Sequence, residues 1–155
     1  LEPHGHNLPR RAAGGVRMIT ELTIQTSGQG LYEITSQVCS VVADWHARTT
    51  SHEGLCTVFV RHTSASLLIQ ENADPTAKHD LEQWLKRLAP ENDPRYTHSS
   101  EGPDDMPAHL RAAVTPVSLS IPIVKGRLAL GRWQGVYLWE HRNAPHRRSV
   151  VVHVA

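Results

Sequence analysis

Residues 54–72 read GLCTVFVRHTSASLLIQEN, two apolar segments separated by a short polar stretch. The first segment is rich in β-branched and aromatic side chains, and the second is equally apolar over a similar length. Both compositions and both lengths are typical of buried strands. The stretch therefore predicts two strands with an interruption at residues 62–64, where polar side chains leave the apolar pattern.

The residues before this stretch predict a hairpin and a helix. ELTIQT (21–26) and LYEIT (31–35) alternate apolar and polar residues around the turn-forming SGQG, which is typical of two short strands joined by a turn. A helix is predicted over residues 35–48, because four apolar side chains recur at i, i+3, i+4 and i+7, namely Val38, Val41, Val42 and Trp45.

The residues after the stretch predict two further helices and a run of strands. Asp74 and Pro75 form a helix start, with the carboxylate as cap and proline at the first helical position. A short helix is predicted to begin near Asp105, and from Val117 onward the pattern is β. The fold class is α+β, with mainly antiparallel strands and helices to one side.

The length and the net charge of the chain limit the number of domains and the kinds of partner that we expect. A chain of 155 residues fits one domain, which we place at residues 16–155, after a flexible N-terminal arm or expression remnant at 1–15. A net charge of +1 and the lack of basic runs argue against nucleic-acid and membrane partners. Cys39 and Cys56 lie in apolar segments typical of buried thiols, and no segment has the apolar length of a membrane span, so we expect a cytoplasmic protein.

The chain carries 11 histidines, more than its length predicts, and two of them lie in THSSEGPDDMPAHL (97–110). Neutral imidazoles with a carboxylate suit Zn²⁺, whereas carboxylates alone suit Mg²⁺. With His62 as a third imidazole, His98 and His109 would form a three-ligand site with an open position. The alternative is a surface loop in which Asp104 and Asp105 only cap a helix, and the spacing does not decide between the two.

Three stretches, HTSASLLIQENADP (62–75), YTHSSEGPDDMPAHL (96–110) and GRWQGVYLWEHR (131–142), resemble the YjbQ family of secondary thiamine-phosphate synthases. The resemblance implies a β-sandwich with flanking helices, a homotrimer, and a pocket holding the motif histidines near a subunit boundary. It also implies a weak transferase activity that joins a hydroxymethylpyrimidine diphosphate to a thiazole phosphate.

Site roles follow from the matching positions. We expect metal ligands at His62, His98 and His109, for a divalent ion such as Zn²⁺ or Mg²⁺, and catalytic groups at His62, Glu71 and Glu101. The expected substrate-binding residues at matching positions are Thr63, Ser64, Asn72, Asp74, Trp133, Gln134 and Glu140. Arg142 and Arg147 are added from their charge, because with Arg148 they form a small cationic group that could hold phosphate, although a solvated strand edge explains them equally well.

Two functions of different classes are compatible with these residues. The first is a thiamine-phosphate synthase-like transferase acting on a small phosphorylated metabolite, with the metal and Arg142 or Arg147 stabilising a diphosphate leaving group. The alternative is a trimeric metal- or small-ligand-binding protein whose pocket has a different role, because fold membership does not establish function.

Overall fold

The computed structural model of the chain describes residues 15–155, and residues 1–14, which hold nearly all of the predicted arm, lie outside them. The described part contains eight strands and three helices. In chain order these are β1 (Met18–Gln25), β2 (Gly30–Glu33), α1 (Thr35–Ala47), β3 (Glu53–Val60), β4 (Ala65–Glu71), α2 (Pro75–Leu88), α3 (Asp105–Val114), β5 (Ser118–Val124), β6 (Arg127–Leu128), β7 (Gln134–Glu140) and β8 (Arg147–Val154).

The strands form two antiparallel sheets around one main core. The larger sheet has the order β1-β8-β3-β5-β6, and the smaller one has the order β2-β7-β4. Buried side chains of both sheets share the core, for example Val58 and Val152 from the larger sheet and Leu67 and Leu138 from the smaller. The predicted α+β class with mainly antiparallel strands is confirmed.

The predicted hairpin between the first two strands is wrong. β1 pairs with β8 in the larger sheet, whereas β2 pairs with β7 in the smaller one. The intervening residues carry the chain from one sheet to the other, and Thr26 is anchored there by donating a hydrogen bond to Glu140 Oε2 at 2.8 Å. Gly28 has φ +136°, and a Cβ there would lie 2.9 Å from the Asn143 carbonyl oxygen. Alternation identifies strands, but it does not identify their partners.

The helices largely follow their sequence signals. The α1 stripe Val38, Val41, Val42 and Trp45 is buried as predicted. Cys39 lies outside that stripe and is exposed, so its predicted burial is wrong, whereas Cys56 is buried. No described helix has both the length and the apolar content to cross a membrane.

Helix α2 begins as predicted, with Asp74 Oδ1 accepting a hydrogen bond from the Thr76 N–H at 2.9 Å. Its apolar face is less covered than its periodicity indicates. Leu85 is buried, but Trp84 is 51% exposed and Leu88 is 54% exposed. The helix thus touches the small sheet along a narrow line and leaves part of its apolar surface open.

The polar interruption after β3 is a crossover between the sheets, since β3 belongs to the larger sheet and β4 to the smaller one. Arg148 holds this crossover by donating from Nη2 to Ser64 Oγ at 3.0 Å. The same guanidinium forms a buried ion pair with Glu140, including an Nε to Oε2 hydrogen bond of 2.7 Å. One ion pair therefore joins β7 of the smaller sheet to β8 of the larger sheet and to the crossover.

His141 follows β7 and is 1% exposed, with Nε2 2.8 Å from Ser66 Oγ on β4. Burial, and then the positive charge of Arg111, lower the pKa of His141 to about 3. The ring is therefore neutral in the folded protein at a pH where the same histidine in an unfolded chain, with a pKa of about 6.5, gains a proton.

We expect this histidine to make the protein less stable as the pH falls from about 6.5 toward 4.5. The unfolded state binds the extra proton in that range, so the group lowers the free energy of unfolding by about 1.4 kcal/mol per pH unit. Urea unfolding at several pH values should show that the free energy of unfolding of His141→Gln changes less steeply with pH than that of the wild type. His79→Gln, which replaces an exposed histidine on α2, should keep the wild-type slope, and equal slopes for all three proteins would contradict the assignment.

Candidate functional site

Two imidazoles and one carboxylate converge at the start of α3. His98 lies in the preceding loop, Asp105 is the first residue of the helix, and His109 follows one turn later on the same face. One potential ligand atom from each residue lies within 4.8 Å of the other two. A loop and a single helical turn thus bring together residues that are spread over twelve positions of the sequence.

The hydrogen bond made by His109 fixes which of its nitrogens faces the cluster. Nδ1 lies 3.1 Å from the carbonyl oxygen of Thr63, which can only accept, so Nδ1 carries a proton. Nε2 lies 3.3 Å from Asp105 Oδ2. In the neutral ring Nε2 is an acceptor, and two acceptors at this distance repel each other unless a cation or a proton lies between them.

Asp105 is 1% exposed and is the centre of the cluster. Its Oδ2 lies 2.7 Å from His98 Nε2, and its Oδ1 accepts from Arg142 Nη1 at 2.6 Å. Burial opposes ionisation, but the His98 hydrogen bond and the charge of Arg142 outweigh it and lower the pKa of Asp105 below its usual value. The carboxylate is therefore ionised near neutral pH.

Arg142 organises the loop before α3. It donates from Nε to Asp104 Oδ2 at 3.0 Å and from Nη2 to the Glu101 carbonyl oxygen at 2.8 Å, in addition to its bond to Asp105. All three of its nitrogens are engaged, so the predicted role of Arg142 in binding substrate phosphate is corrected to a positioning role. The helix-cap alternative for Asp104 is also wrong, because its side chain makes no cap hydrogen bond.

His62 does not join the cluster of His98, Asp105 and His109, and its predicted role as a metal ligand is corrected. Its Nε2 accepts a hydrogen bond from the backbone N–H of Ser149 at 2.8 Å, which uses the lone pair that a metal would need. Burial and the nearby charge of Arg148 lower the pKa of His62, which favours the neutral ring with its proton on Nδ1. His62 is therefore a hydrogen-bond donor toward its surroundings.

His62 and His109 line one open cavity of about 670 Å³. Its polar wall also includes Thr63 and Ser64, whose role in binding a substrate stays a prediction. Its apolar wall is formed by Phe59, Val60, Ala112, Ala113 and Val117. The cavity is thus amphipathic and opens next to the Asp105 cluster.

The other predicted site residues lie at the far end of the small sheet. Strand β4 separates the crossover from Glu71 by roughly 20 Å, given about 3.3 Å per residue. Glu71 therefore cannot act with His62 or Glu101 within one chain, and this predicted catalytic set is corrected. The same end holds Asn72, Asp74, Trp133 and Gln134.

Three of these residues make hydrogen bonds with nearby groups, and the fourth is exposed. Asp74 caps α2, Asn72 donates to Glu33 Oε1 at 3.1 Å, and Gln134 Oε1 accepts from the Gly131 N–H at 2.8 Å. Trp133 is 54% exposed, which excludes a core role. Ligand binding by this group stays a prediction.

The last two predicted substrate residues differ in exposure. Glu140 is 1% exposed and paired with Arg148, so it cannot touch a ligand, and its predicted role is corrected to a structural one. Arg147 is exposed at the start of β8 and remains available. Sequence analysis did not place Asp105 among the candidate ligands, although its i, i+4 spacing to His109 was a usable signal.

A protein-family model described as "UPF0047 protein YjbQ-like" matches residues 20–155. A UPF0047 protein of Synechocystis is 57% identical over 134 residues, which cover 86% of this chain and 88% of that protein. The YjbQ protein of Escherichia coli O157:H7 is 40% identical over 130 residues, covering 84% and 91%.

Solved structures show the same fold. An uncharacterised YjbQ/UPF0047 protein of Clostridium acetobutylicum aligns with a TM-score of 0.79 at 33% identity, covering 88% of this chain and 99% of that one. A conserved hypothetical protein of Thermus thermophilus aligns with a TM-score of 0.74 at 39% identity, covering 86% and 97%.

These comparisons overturn the predicted synthase function. The relatives carry the description of an uncharacterised family, and none of the matching descriptions given above names a thiamine-phosphate synthase or a transferase. The prediction of a thiamine-phosphate synthase-like transferase was therefore wrong. The alternative, a ligand-binding protein of unestablished role, agrees better with these findings.

The role of Arg142 can be tested by Arg142→Lys, which keeps the charge but loses the three-nitrogen arrangement. We expect a loss of about 1.5–3 kcal/mol in the free energy of unfolding, because the partly buried hydrogen bonds to Asp104 and Asp105 cannot all be remade. Urea unfolding at neutral pH measures it. Arg147→Lys, a matched change at an exposed site, should stay within about 0.5 kcal/mol of wild type, and equal losses in the two variants would argue against the positioning role.

Proposed function

This chain belongs to the YjbQ-like protein family UPF0047, and we propose that it binds a divalent metal at His98, Asp105 and His109 to capture a small molecule. One observation carries the proposal. His109 Nε2 and Asp105 Oδ2 face each other at 3.3 Å while Nδ1 of the same ring donates to a carbonyl oxygen. A metal ion between them removes the repulsion of two acceptors.

The donor set indicates which metal fits. Two imidazoles and a carboxylate suit Zn²⁺ and Fe²⁺, whereas Mg²⁺ prefers oxygen ligands and would bind imidazoles poorly. Three protein ligands also leave coordination positions open, which is typical of sites where the metal meets water or a ligand. Of the two ions expected from the sequence, Zn²⁺ is the better match.

The surroundings of the three groups also fit a metal centre. A ligating histidine usually donates its second ring N–H to a carbonyl or carboxylate, as His109 does to Thr63. Ligating carboxylates are usually hydrogen-bonded through the other oxygen, as Asp105 is by Arg142. A bound metal would supply Lewis acidity and a positive charge for an oxygen-bearing ligand.

The neighbouring cavity supports an amphipathic ligand. Its polar group would lie near His109, His62 and Thr63, with an apolar portion against Phe59 and Val117. A phosphorylated metabolite remains one candidate class, because the metal and Arg61 on the cavity wall would both attract phosphate. Neutral His62 would donate from Nδ1 and so favour an acceptor group on the ligand.

Metal content provides the direct test. The full chain without an affinity tag should bind about one Zn²⁺ per subunit, and His98→Ala, His109→Ala and Asp105→Asn should each weaken binding by about tenfold or more. His62→Ala should keep the metal, because its Nε2 is held by Ser149. Elemental analysis and calorimetric titration with Zn²⁺ measure both quantities.

His79→Ala is the matched control, since it removes an exposed histidine of α2. If His98→Ala and His109→Ala kept full metal content and wild-type affinity, the cluster would be a hydrogen-bonded trio that binds no metal. The proposed function would then fail.

A homotrimer, which the family resemblance implies, is our second proposal. The outer face of the large sheet supports an assembly, because Ile19 is 71% exposed and Leu55 and Phe59 are each 45% exposed. They occupy one face, since Phe59 pairs with Val151 and Ile19 pairs with His153 two residues along β8. An apolar face of this kind is typical of a subunit interface.

Light scattering should give a particle mass of about three times the chain mass of 17.2 kDa. Phe59→Asp should shift the protein toward the monomer, because a carboxylate would be buried at the contact. Leu88→Asp, on the exposed side of α2, should leave the mass unchanged. A monomeric wild type would disprove the trimer without affecting the metal proposal.

A further inference from the structure

Arg111 on α3 is a buried cation without a carboxylate partner among the described residues. It is 3% exposed, yet none of the ion pairs found between residues 15 and 155 includes it. Buried guanidinium groups are normally paired, because an isolated buried charge is costly. The metal cluster does not use Arg111, so its charge requires a separate explanation.

The hydrogen bonds of Arg111 are also incomplete. Nη1 donates to Gln29 Oε1 at 2.9 Å, and Nη2 donates to the Ala89 carbonyl oxygen at 2.7 Å. Nε is buried and has no partner in the described part of the chain. A guanidinium has five N–H donors, so both the charge and several donors are left for another group.

Arg111 lines a polar cavity of about 400 Å³. The lining residues are Gln29, Lys86, Pro90, Glu91, Arg111 and Asn143. None of them lines the cavity beside His62 and His109. A small neighbouring space of about 10 Å³, which is enough for about one water molecule, is also bordered by Arg111, Gln29 and Lys86.

The charges of this cavity select its ligand. Lys86 and Arg111 contribute two positive charges and Glu91 one negative charge, which leaves a single positive charge for an anion. Glu91 Oε1 accepts from Gln29 Nε2 and Asn143 Nδ2, both at 3.1 Å, and Oε2 receives no hydrogen bond from the described residues. A monoanion fits this balance better than a dianionic phosphate, which Glu91 would repel.

We propose that Arg111 and Lys86 form a second binding site, for a small monocarboxylate that also carries a hydroxyl group. The carboxylate pairs with Arg111 and Lys86, and the hydroxyl group donates to Glu91. Small hydroxy acids are the ligand class with both features and a single negative charge. This site is independent of the metal proposal, because the two share no residue.

The experiment follows the Arg111 Nε–H resonance in ¹⁵N-labelled full-length protein while glycolate replaces chloride at constant ionic strength. The resonance is assigned by its loss in Arg111→Lys. We expect a saturable shift with a millimolar dissociation constant, and a weaker effect from phosphate at the same ionic strength. Calorimetric titration with glycolate provides a second measurement that does not depend on the resonance.

Lys86→Gln should weaken glycolate binding by roughly threefold to fivefold, the range of a partly exposed ion pair. Lys78→Gln makes the same charge change on the same helix and should leave the affinity for glycolate unchanged. His98→Ala should also leave that affinity unchanged. No saturable shift would mean that trapped water satisfies Arg111, and the proposal would be abandoned. Tighter binding of phosphate, an unchanged affinity in Lys86→Gln, or a lost affinity in His98→Ala would equally overturn it.

Discussion

The buried ion pair between Glu140 and Arg148 is the interaction on which the rest of the structure depends. Glu140 ends β7 of the small sheet, and Arg148 lies in β8 of the large sheet, so the pair fixes the two sheets relative to each other. Glu140 also accepts a hydrogen bond from the Thr26 hydroxyl, and Arg148 also donates one to Ser64 Oγ. The two places where the early chain crosses between sheets are therefore held by the same two charges. Because an uncompensated charge would remain if either were lost, this arrangement specifies the topology more than it adds stability.

The position of the cluster of His98, Asp105 and His109 follows from this pair through short, directed contacts. The crossover held at Ser64 presents the carbonyl oxygen of Thr63, which orients the ring of His109 on α3. The helix is tied at its start by Arg142 and at its end by the Thr115 hydroxyl, which donates to Ser66 Oγ at 2.7 Å. Arg142 and the partner of Ser66, His141, are consecutive residues after β7. A helix held at its start by Arg142 after β7 and at its end by Ser66 of β4 places His109 with the rigidity that a ligand-binding group would require.

Sequence analysis predicted the elements whose signals are local. The stripe of α1, the Asp74 cap of α2 and the two strands around residues 62–64 all depend on neighbours a few positions away. The hairpin prediction failed because pairing of β1 and β2 is decided by β7 and β8, more than a hundred residues later. At the site, His98 and His109 were found by residue type, but the partner of His62 is the backbone of Ser149, which no spacing reveals. Glu71 was grouped with the histidines because its motif is continuous with theirs, although a strand between them keeps the two ends apart.

The residues after β7 also separate two regions of opposite charge. On one side, Asp104 and Asp105 face the single cation Arg142, so this region has a deficit of positive charge. On the other side, Arg111 and Lys86 face the single anion Glu91, so that cavity has an excess. Asn143 lies between the two regions. Its backbone N–H donates a hydrogen bond to Asp104 Oδ2 at 2.8 Å, and its side-chain amide donates one to Glu91. Since Coulomb attraction is strong in partly buried sites, a cation on the first side and an anion on the second would each neutralise a charge that the fold leaves unbalanced. The two sites proposed above depend on this imbalance, because ligand selectivity is determined by local charge and not by the net charge of +1 over the whole chain.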